Sequence, residues 1–274
     1  MKTLLALVAL ALPAAGGAEP LRVVHDRLFI PVIVNGERTE ALLDSAAEMT
    51  ILDDDFARHL NLAVGGDEAA HGSGAAEMRA RFADHVAVET LGGSMELRVG
   101  ILDLDEVGNR LVGRPLHMLL GRDLFDETRL RIDIAGGTIE AFDGRPRGVL
   151  LPVGEHRGTP TVPAAVEGHG AVQAVFDTGN GSGVLVGSAY ARRIGLTGAR
   201  IVGREEGGGL GGARRRDIVV LRSLTLAGRS FRNVRAAIDP GETASDLNIG
   251  TSILRHFVIT TDFAGHRVWL EPRS

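Results

Sequence analysis

The sequence has no cysteine, a single lysine and few aromatic residues, which make up 4% of the chain. Without cysteine, the protein cannot form disulfide bonds, thiolate metal sites or a thiol nucleophile. The lysine is Lys2, at the start of the chain. The remainder of the sequence therefore offers no lysine for a Schiff base and no phosphate-binding P-loop.

The sequence also gives little support for a metal site or a nucleic-acid partner. The nine histidines are scattered and form no H-E-x-x-H pair, so we expect no metal and no cofactor. A formal net charge of -5 argues against a nucleic-acid partner. The 274 residues, with 44% hydrophobic side chains, suffice for one large domain or two of modest size.

The first 18 residues predict export. Lys2 gives a positive start, residues 4–12 form a short apolar run, and small residues lead up to Ala18. This three-part pattern is typical of a secretory signal peptide, with cleavage expected after Ala18. An uncleaved N-terminal anchor is the alternative. We expect a secreted or periplasmic protein, with no membrane span in the mature chain.

After this leader the sequence repeats itself once. In each copy an apolar run ends in an aspartate, Asp44 in the first and Asp177 in the second. The paired segments are 30–36 with 162–168, 41–46 with 174–179, 56–62 with 190–196, 119–121 with 248–250, and 133–136 with 262–265. We therefore predict a signal peptide over 1–18, a first lobe over 19–147 and a second lobe over 148–274.

Each copy has the pattern of a mostly β structure. Alternating apolar runs are separated at Asn35-Gly36, Gly92-Gly93 and Gly228-Arg229, as is typical of β-hairpins. One short helix is expected in each copy, after the aspartate motif. The run Asp53-Asp54-Asp55 suits the start of the first helix better than it suits a metal. We predict an all-β fold class, with two β units packed about an approximate dyad.

We expect the reactive side chains to be those of Asp44 and Asp177. Each follows three apolar residues and so lies at the end of a buried strand, where burying an unpaired carboxylate costs free energy. A duplicated fold can bring the two carboxyls together at its dyad, where they share one proton. One of them then takes a proton from water while the other donates to a carbonyl, which hydrolyses an amide without a cofactor.

These features resemble the retropepsin-like branch of the aspartic proteases, in the exported bacterial type that fuses both halves in one chain. Asp177-Thr178-Gly179 matches the catalytic signature of that family, and Asp44-Ser45-Ala46 matches it loosely. Residues 119–124 and 248–250 resemble the later strand-to-helix segment of the family. The resemblance implies two β-barrel lobes related by a pseudo-dyad. It also implies an aspartic endopeptidase that acts on peptides or proteins, as a monomer with an intramolecular dyad.

The same resemblance assigns roles to individual residues. The catalytic pair is Asp44 and Asp177, and the supporting dyad-loop residues are Ser45, Thr178, Ala46 and Gly179. The two hydroxyls are expected to bond across the dyad. Ala46 departs from the family, which has glycine there, and it favours the alternative function of a catalytically weak or inactive peptide-binding or regulatory protein. A purely structural β-sandwich does not explain why both copies keep the aspartate.

Glycine-rich loops follow the helix in both copies. The first contains His71, Gly72, Ser73 and Gly74, and the second contains Gly207, Gly208, Gly209, Gly211 and Gly212. In the family the equivalent segment is the flap that closes over a bound peptide, and glycine suits such a lid. A surface hairpin tip is the alternative. The second loop also spells G-x-G-x-x-G, but it leads into a strand instead of a helix, so we reject dinucleotide binding.

Two charged residues occur in the first copy alone. Glu48 lies four residues after Asp44, and Arg122 follows Gly121. The corresponding residues of the second copy are Gly181 and Thr251. Because both charges are absent together, we predict that Glu48 and Arg122 form an ion pair that braces the first active-site loop.

Overall fold

The computed structural model describes residues 17–66, 68–70 and 78–273, and within these ranges the chain is mostly β-strand. The all-β prediction is confirmed. Residues 1–16 of the predicted signal peptide and the predicted flap residues 71–74 lie outside the described residues. Among the residues that are described, no helix has the length and apolar character needed to cross a membrane.

The first half is built around an eight-stranded sheet. The strands of this half are β1 (Glu19–Pro20), β2 (Arg22–Val24), β3 (Arg27–Val34), β4 (Glu37–Leu43), β5 (Ile51–Asp53), β6 (Glu68–Ala70), β7 (Met78–Thr90), β8 (Gly93–Leu102), β9 (Met118–Leu120), β10 (Leu130–Asp133) and β11 (Thr138–Ala141). The sheet has the order β2-β3-β4-β9-β5-β8-β7-β6, and β3 also pairs with β7. That extra pairing closes part of the sheet on itself.

The second half repeats this arrangement. Its strands are β12 (Val149–Pro152), β13 (Gly154–His156), β14 (Thr159–Val166), β15 (Val172–Phe176), β16 (Val184–Gly187), β17 (Ile201–Gly207), β18 (Arg214–Leu226), β19 (Arg229–Asp239), β20 (Leu247–Ile249), β21 (Phe257–Asp262) and β22 (Arg267–Pro272). The second sheet has the order β13-β14-β15-β20-β16-β19-β18-β17, and β14 also pairs with β18. Each strand of the second sheet occupies the same position in the strand order as the corresponding strand of the first sheet.

A six-stranded sheet joins the halves, in the order β1-β11-β10-β21-β22-β12. At its centre β10 pairs with β21, so that Ile132 lies opposite Ile259. The rings of Phe125 and Phe263 stack across the same junction, with their centroids 5.3 Å apart. One apolar core therefore continues from the first half into the second. The lobe boundary between residues 147 and 148 stays a prediction.

The described part of the chain has more helices than the sequence predicts. They are α1 (Asp54–His59), α2 (Asp105–Leu111), α3 (Arg122–Glu127), α4 (Ser188–Arg193) and α5 (Thr251–Leu254), with a 3₁₀ turn at Gly198–Arg200. The expected helices are α1 and α4, and the prediction of one helix per half is corrected by the others. A helix of two turns or fewer is too short to show a 3.6-residue period, which is why the sequence pattern does not reveal it.

Asp53 begins α1 as the sequence predicts. Its Oδ2 accepts hydrogen bonds from the backbone N–H groups of Asp55 (3.0 Å) and Phe56 (3.2 Å). Its Oδ1 accepts from the backbone of Leu104 (3.0 Å). The carboxylate therefore satisfies backbone donors at the helix start.

The three predicted hairpins have two-residue turns in which both residues have positive φ. Asn35 and Gly36 both have positive φ, 47° and 87°, between the paired residues that flank them. The turns predicted at Gly92-Gly93 and Gly228-Arg229 lie one residue earlier, at Leu91-Gly92 and Ala227-Gly228. A two-residue turn of this kind requires positive φ at both positions, and glycine takes the second one here.

Candidate active site

The two aspartates lie on equivalent loops. Asp44 follows β4 and Asp177 follows β15, and the last three residues of both strands are buried. The backbone N–H of Asp44 donates to the carbonyl of Leu120 at 3.0 Å, and that of Asp177 donates to the carbonyl of Ile249 at 3.1 Å. These bonds attach each loop to the neighbouring short strand, β9 in the first half and β20 in the second.

The residues after the aspartates lock the two loops together. The backbone N–H of Ser45 donates to Oγ1 of Thr178 at 2.9 Å, and that of Thr178 donates to Oγ of Ser45 at 3.0 Å. Each hydroxyl then donates to a carbonyl of the opposite half: Ser45 to Phe176 at 2.8 Å, and Thr178 to Leu43 at 3.0 Å. Both side chains are fully buried. This reciprocal set of hydrogen bonds, here called the hydroxyl exchange, holds the aspartates of the two halves side by side.

Backbone donors orient each carboxyl in the same way. Oδ1 of Asp44 accepts from the N–H groups of Ala46 (2.9 Å) and Ala47 (3.2 Å). Oδ1 of Asp177 accepts from those of Gly179 and Asn180, both at 2.9 Å. One oxygen of each carboxyl is thereby fixed by its own loop, and the other remains for further contacts.

Burial and mutual repulsion control the charge of the pair. Burial, together with the charge of Asp177, raises the pKa of Asp44 to about 7. Burial also raises the pKa of Asp177, against hydrogen bonds from Asn248 and the loop backbone and against the charge of Arg27. Both residues keep part of their surface exposed, so they are accessible from solvent. The pair is suited to hold one proton in acidic to neutral water.

Gly179 lies against the carboxyl of the opposite half. A Cβ atom added to it would lie 2.3 Å from Cγ of Asp44, far inside van der Waals contact. The matching residue of the first half is Ala46, which does carry a Cβ. The site is therefore asymmetric at these two positions.

Two residues next to the pair are missed by the sequence reasoning. Nδ2 of Asn248 donates to Oδ2 of Asp177 at 2.6 Å. Arg27 is buried and its charge acts on both aspartates. The signal for Asn248 was present: a polar residue stands where the first copy has Leu119, in an otherwise apolar strand. Arg27 offers no such signal, because its burial depends on contacts with distant segments.

The second glycine-rich loop forms the tip of a hairpin between β17 and β18. Arg110 on α2 of the first half donates to the carbonyls of Gly208 (3.3 Å) and Gly209 (3.0 Å). Leu210 packs against an apolar cluster of the first half that includes Leu104 and Val107. The tip therefore reaches across to the opposite half, and it does not open a helix.

The predicted ion pair between Glu48 and Arg122 is corrected. Arg122 instead pairs with Asp126, one turn later on α3, at 3.2 Å. Its guanidinium also donates to the carbonyl of Gly158 in the second half. Glu48 is exposed and lies against the same Gly158. The two charges thus meet at one turn of the opposite half, and the i,i+4 spacing of α3 supplies the closer acidic partner.

Comparison with known proteins finds one family whose sequence profile matches this chain twice. The sequence profile of the aspartyl protease family matches residues 30–124 and again residues 162–253, which confirms the predicted duplication. Among solved structures, a retropepsin-like aspartic protease from Rickettsia conorii aligns with 44% of this chain and 88% of its own, at 18% identity and a TM-score of 0.37. No curated protein sequence matches. Because the family profile covers more than half of the chain, once in each half, the chain belongs to the aspartyl protease family.

Proposed function

We propose that this protein is an exported aspartic endopeptidase that hydrolyses peptide bonds with a water activated between Asp44 and Asp177. One observation carries the proposal: reciprocal hydrogen bonds of Ser45 and Thr178 hold two half-buried acids, one from each half, side by side, where burial and the charge of Asp177 raise the pKa of Asp44. Membership of the aspartyl protease family supports a peptidase activity.

The chemistry follows from the protonation of the pair. When it holds one proton, the ionised carboxyl is a general base for the attacking water and the protonated carboxyl is a general acid for the carbonyl oxygen. Water adds directly to the peptide carbon, so no residue of the chain becomes acylated. The hydroxyl exchange between Ser45 and Thr178 contributes rigidity, because both carboxyls must keep their positions while the proton moves.

Several features support the rest of the proposal. The leader over residues 1–18 supports export to the periplasm or the medium, with Glu19 as the first residue of the mature chain. Both aspartates belong to one polypeptide, which supports action as a monomer, and the net charge of -5 favours peptides over nucleic acid as substrate. The loop over residues 207–212 spans from one half to the other, which supports its role as a flap over a bound peptide.

Cleavage of a quenched fluorescent peptide library tests the activity. The purified protein is compared with the double variant Asp44→Asn/Asp177→Asn from about pH 3 to about pH 8. We expect cleavage by the wild type and none by the variant, which retains the shape of both side chains. Equal cleavage by both proteins, or none by folded wild type at any pH, argues against a peptidase.

Export is tested separately by N-terminal sequencing. The full chain is produced in a bacterial host and its fractions are separated. We expect the protein outside the cytoplasm with Glu19 at its N-terminus. Protein that stays in the cytoplasm and keeps its leader contradicts this part of the proposal.

A peptide-binding protein with weak or no catalysis is the second candidate, and Ala46 is the observation that favours it. Its counterpart Gly179 touches the opposite carboxyl so closely that a Cβ atom would clash. Because Ala46 occupies the equivalent position of the first loop, we expect its methyl group to reduce the space beside Asp177. Under this candidate, the wild type binds peptides without cleaving them, and Ala46→Gly gains activity. If Ala46→Gly leaves an active wild type unchanged, Ala46 does not limit catalysis.

A further inference from the structure

The two halves differ in what contacts the second oxygen of each aspartate. In the second half, Nδ2 of Asn248 donates to Oδ2 of Asp177 at 2.6 Å. The corresponding residue of the first half is Leu119, which packs in an apolar cluster with Phe29 and Leu42. An apolar side chain offers no donor, so the side-chain amide is specific to Asp177.

A backbone group fixes which end of the Asn248 amide faces Asp177. The backbone N–H of Ser182 donates to Oδ1 of Asn180 at 2.8 Å, which turns the Asn180 amide nitrogen the other way. That nitrogen donates to Oδ1 of Asn248 at 2.7 Å. The NH₂ group of Asn248 is therefore turned toward Asp177. Because a backbone N–H can only donate, the direction of each hydrogen bond from Ser182 through Asn180 and Asn248 to Asp177 is determined.

Arg27 adds a positive charge on the same side of the dyad. Its guanidinium NH1 donates to the carbonyls of His25 (2.9 Å) and Leu111 (3.1 Å). It also packs against Gly181, four residues after Asp177, where a Cβ atom would lie 2.9 Å from NH1. The charged groups that act on Arg27 are Arg110, Asp26, Asp177 and Asp44.

We propose that Asn248 is a positioning residue that keeps the negative charge of the dyad on Asp177 and leaves the shared proton on Asp44. An amide N–H stabilises a carboxylate more than a neutral acid, and the nearby Arg27 does the same. The consequence of this charge distribution for catalysis rests on the proposed function. The charge distribution itself is a property of the free protein.

The proposal assigns a role to each aspartate. Asp177 takes a proton from the attacking water as the oxygen–carbon bond forms, and the carbonyl oxygen takes the proton of Asp44. When the carbon–nitrogen bond breaks, the amine leaves with the proton held by Asp177. Asp44 recovers its proton from a hydroxyl of the tetrahedral intermediate as the new carboxyl forms. Both residues then return to their starting states.

Carbon-13 NMR titration of the aspartate carboxyl carbons tests the proposal without any substrate. The signals of the dyad are assigned with Asp44→Asn and Asp177→Asn. The main variant is Asn248→Leu, which reproduces Leu119 of the first half. Asn248→Ala also removes the NH₂ donor and adds neither charge nor bulk, so one of the two variants is expected to fold. The matched control is Ser182→Ala, which removes an exposed hydroxyl and keeps the backbone N–H.

We expect Asp177 to ionise at lower pH than Asp44 in the wild type and in Ser182→Ala. In both Asn248 variants the Asp177 signal should titrate at higher pH, with an acid dissociation constant about tenfold smaller, the size expected for loss of a charge-assisted hydrogen bond. The proposal is wrong if Asp44 ionises first in the wild type, or if the Asn248 variants titrate like the control. Because the titration needs no cleavage, its failure is distinct from a failure of the proposed function.

Discussion

Replacing Thr178 by valine should separate the effect of the hydroxyl exchange from that of core packing. Valine keeps the shape of threonine and removes its oxygen. Oγ1 of Thr178 accepts from the backbone of Ser45 at 2.9 Å and donates to the carbonyl of Leu43 at 3.0 Å. The change leaves a buried N–H and a buried carbonyl without these partners. At about 1–3 kcal/mol for each of these two unsatisfied groups, we expect a loss of about 2–6 kcal/mol in the free energy of unfolding.

The chain offers a matched control in Thr261. Its side chain is as fully buried as that of Thr178, but its hydroxyl has no hydrogen-bond partner in the described part of the chain. Thr261→Val therefore removes a buried hydroxyl that contributes no bond. We expect the free energy of unfolding to stay the same or to rise by about 1 kcal/mol.

Guanidinium unfolding of the wild type and both variants provides the comparison. Equal slopes with a lower midpoint for Thr178→Val alone are the expected result. If Thr178→Val lies within about 0.5 kcal/mol of the wild type, the exchange does not hold the halves together. An equal loss in Thr261→Val would show that valine itself, rather than a lost hydrogen bond, is responsible.

Three further predictions concern the dyad and the loop above it. Because burial raises the pKa of Asp44 from its ordinary value of 3.8 to about 7, stability falls as pH rises through this window. Asp44→Asn should therefore raise the free energy of unfolding by on the order of a few kcal/mol above the window and leave it unchanged below it, as denaturant titrations will measure. Arg110→Ala should remove both bonds to the hairpin tip and speed hydrogen exchange of amides 208–213, and unchanged exchange would refute the contact. Gly179→Ala should lower peptide cleavage by about a hundredfold or more by displacing Asp44, while Gly203→Ala, which meets nothing within 4 Å, should not.

The features of the molecule that the sequence predicts are those that occur in both copies. Each aspartate follows a run of three apolar residues, so strand, burial and loop position can be inferred from the chain itself. The duplication then implies that Asp44 and Asp177 meet. The confirmed topology, with each strand of one sheet matched in the other, has the same origin.

The parts that the sequence does not predict depend on single contacts between distant segments. Asn248 stands out as a polar residue in an apolar strand, but it is 71 residues from Asp177, and the sequence does not indicate that its amide reaches that carboxyl. Arg122 carried a signal, its absence from the second copy, but the sequence does not distinguish Glu48 from Asp126 as its partner. The structure favours Asp126 because both residues lie on one face of α3. The sequence does not predict the other short helices, because two turns contain too few residues to show a 3.6-residue hydrophobic period.

The most direct test of the central claim is the activity of the two single variants on one peptide identified from the library. Wild type, Asp44→Asn, Asp177→Asn and an equimolar mixture of the two variants are compared by kcat/KM. We expect each variant to lose cleavage by about a thousandfold or more, and the mixture not to recover it, because both aspartates must belong to the same chain. Retained cleavage in either single variant, or recovery in the mixture, would contradict a dyad formed within one chain by Asp44 and Asp177.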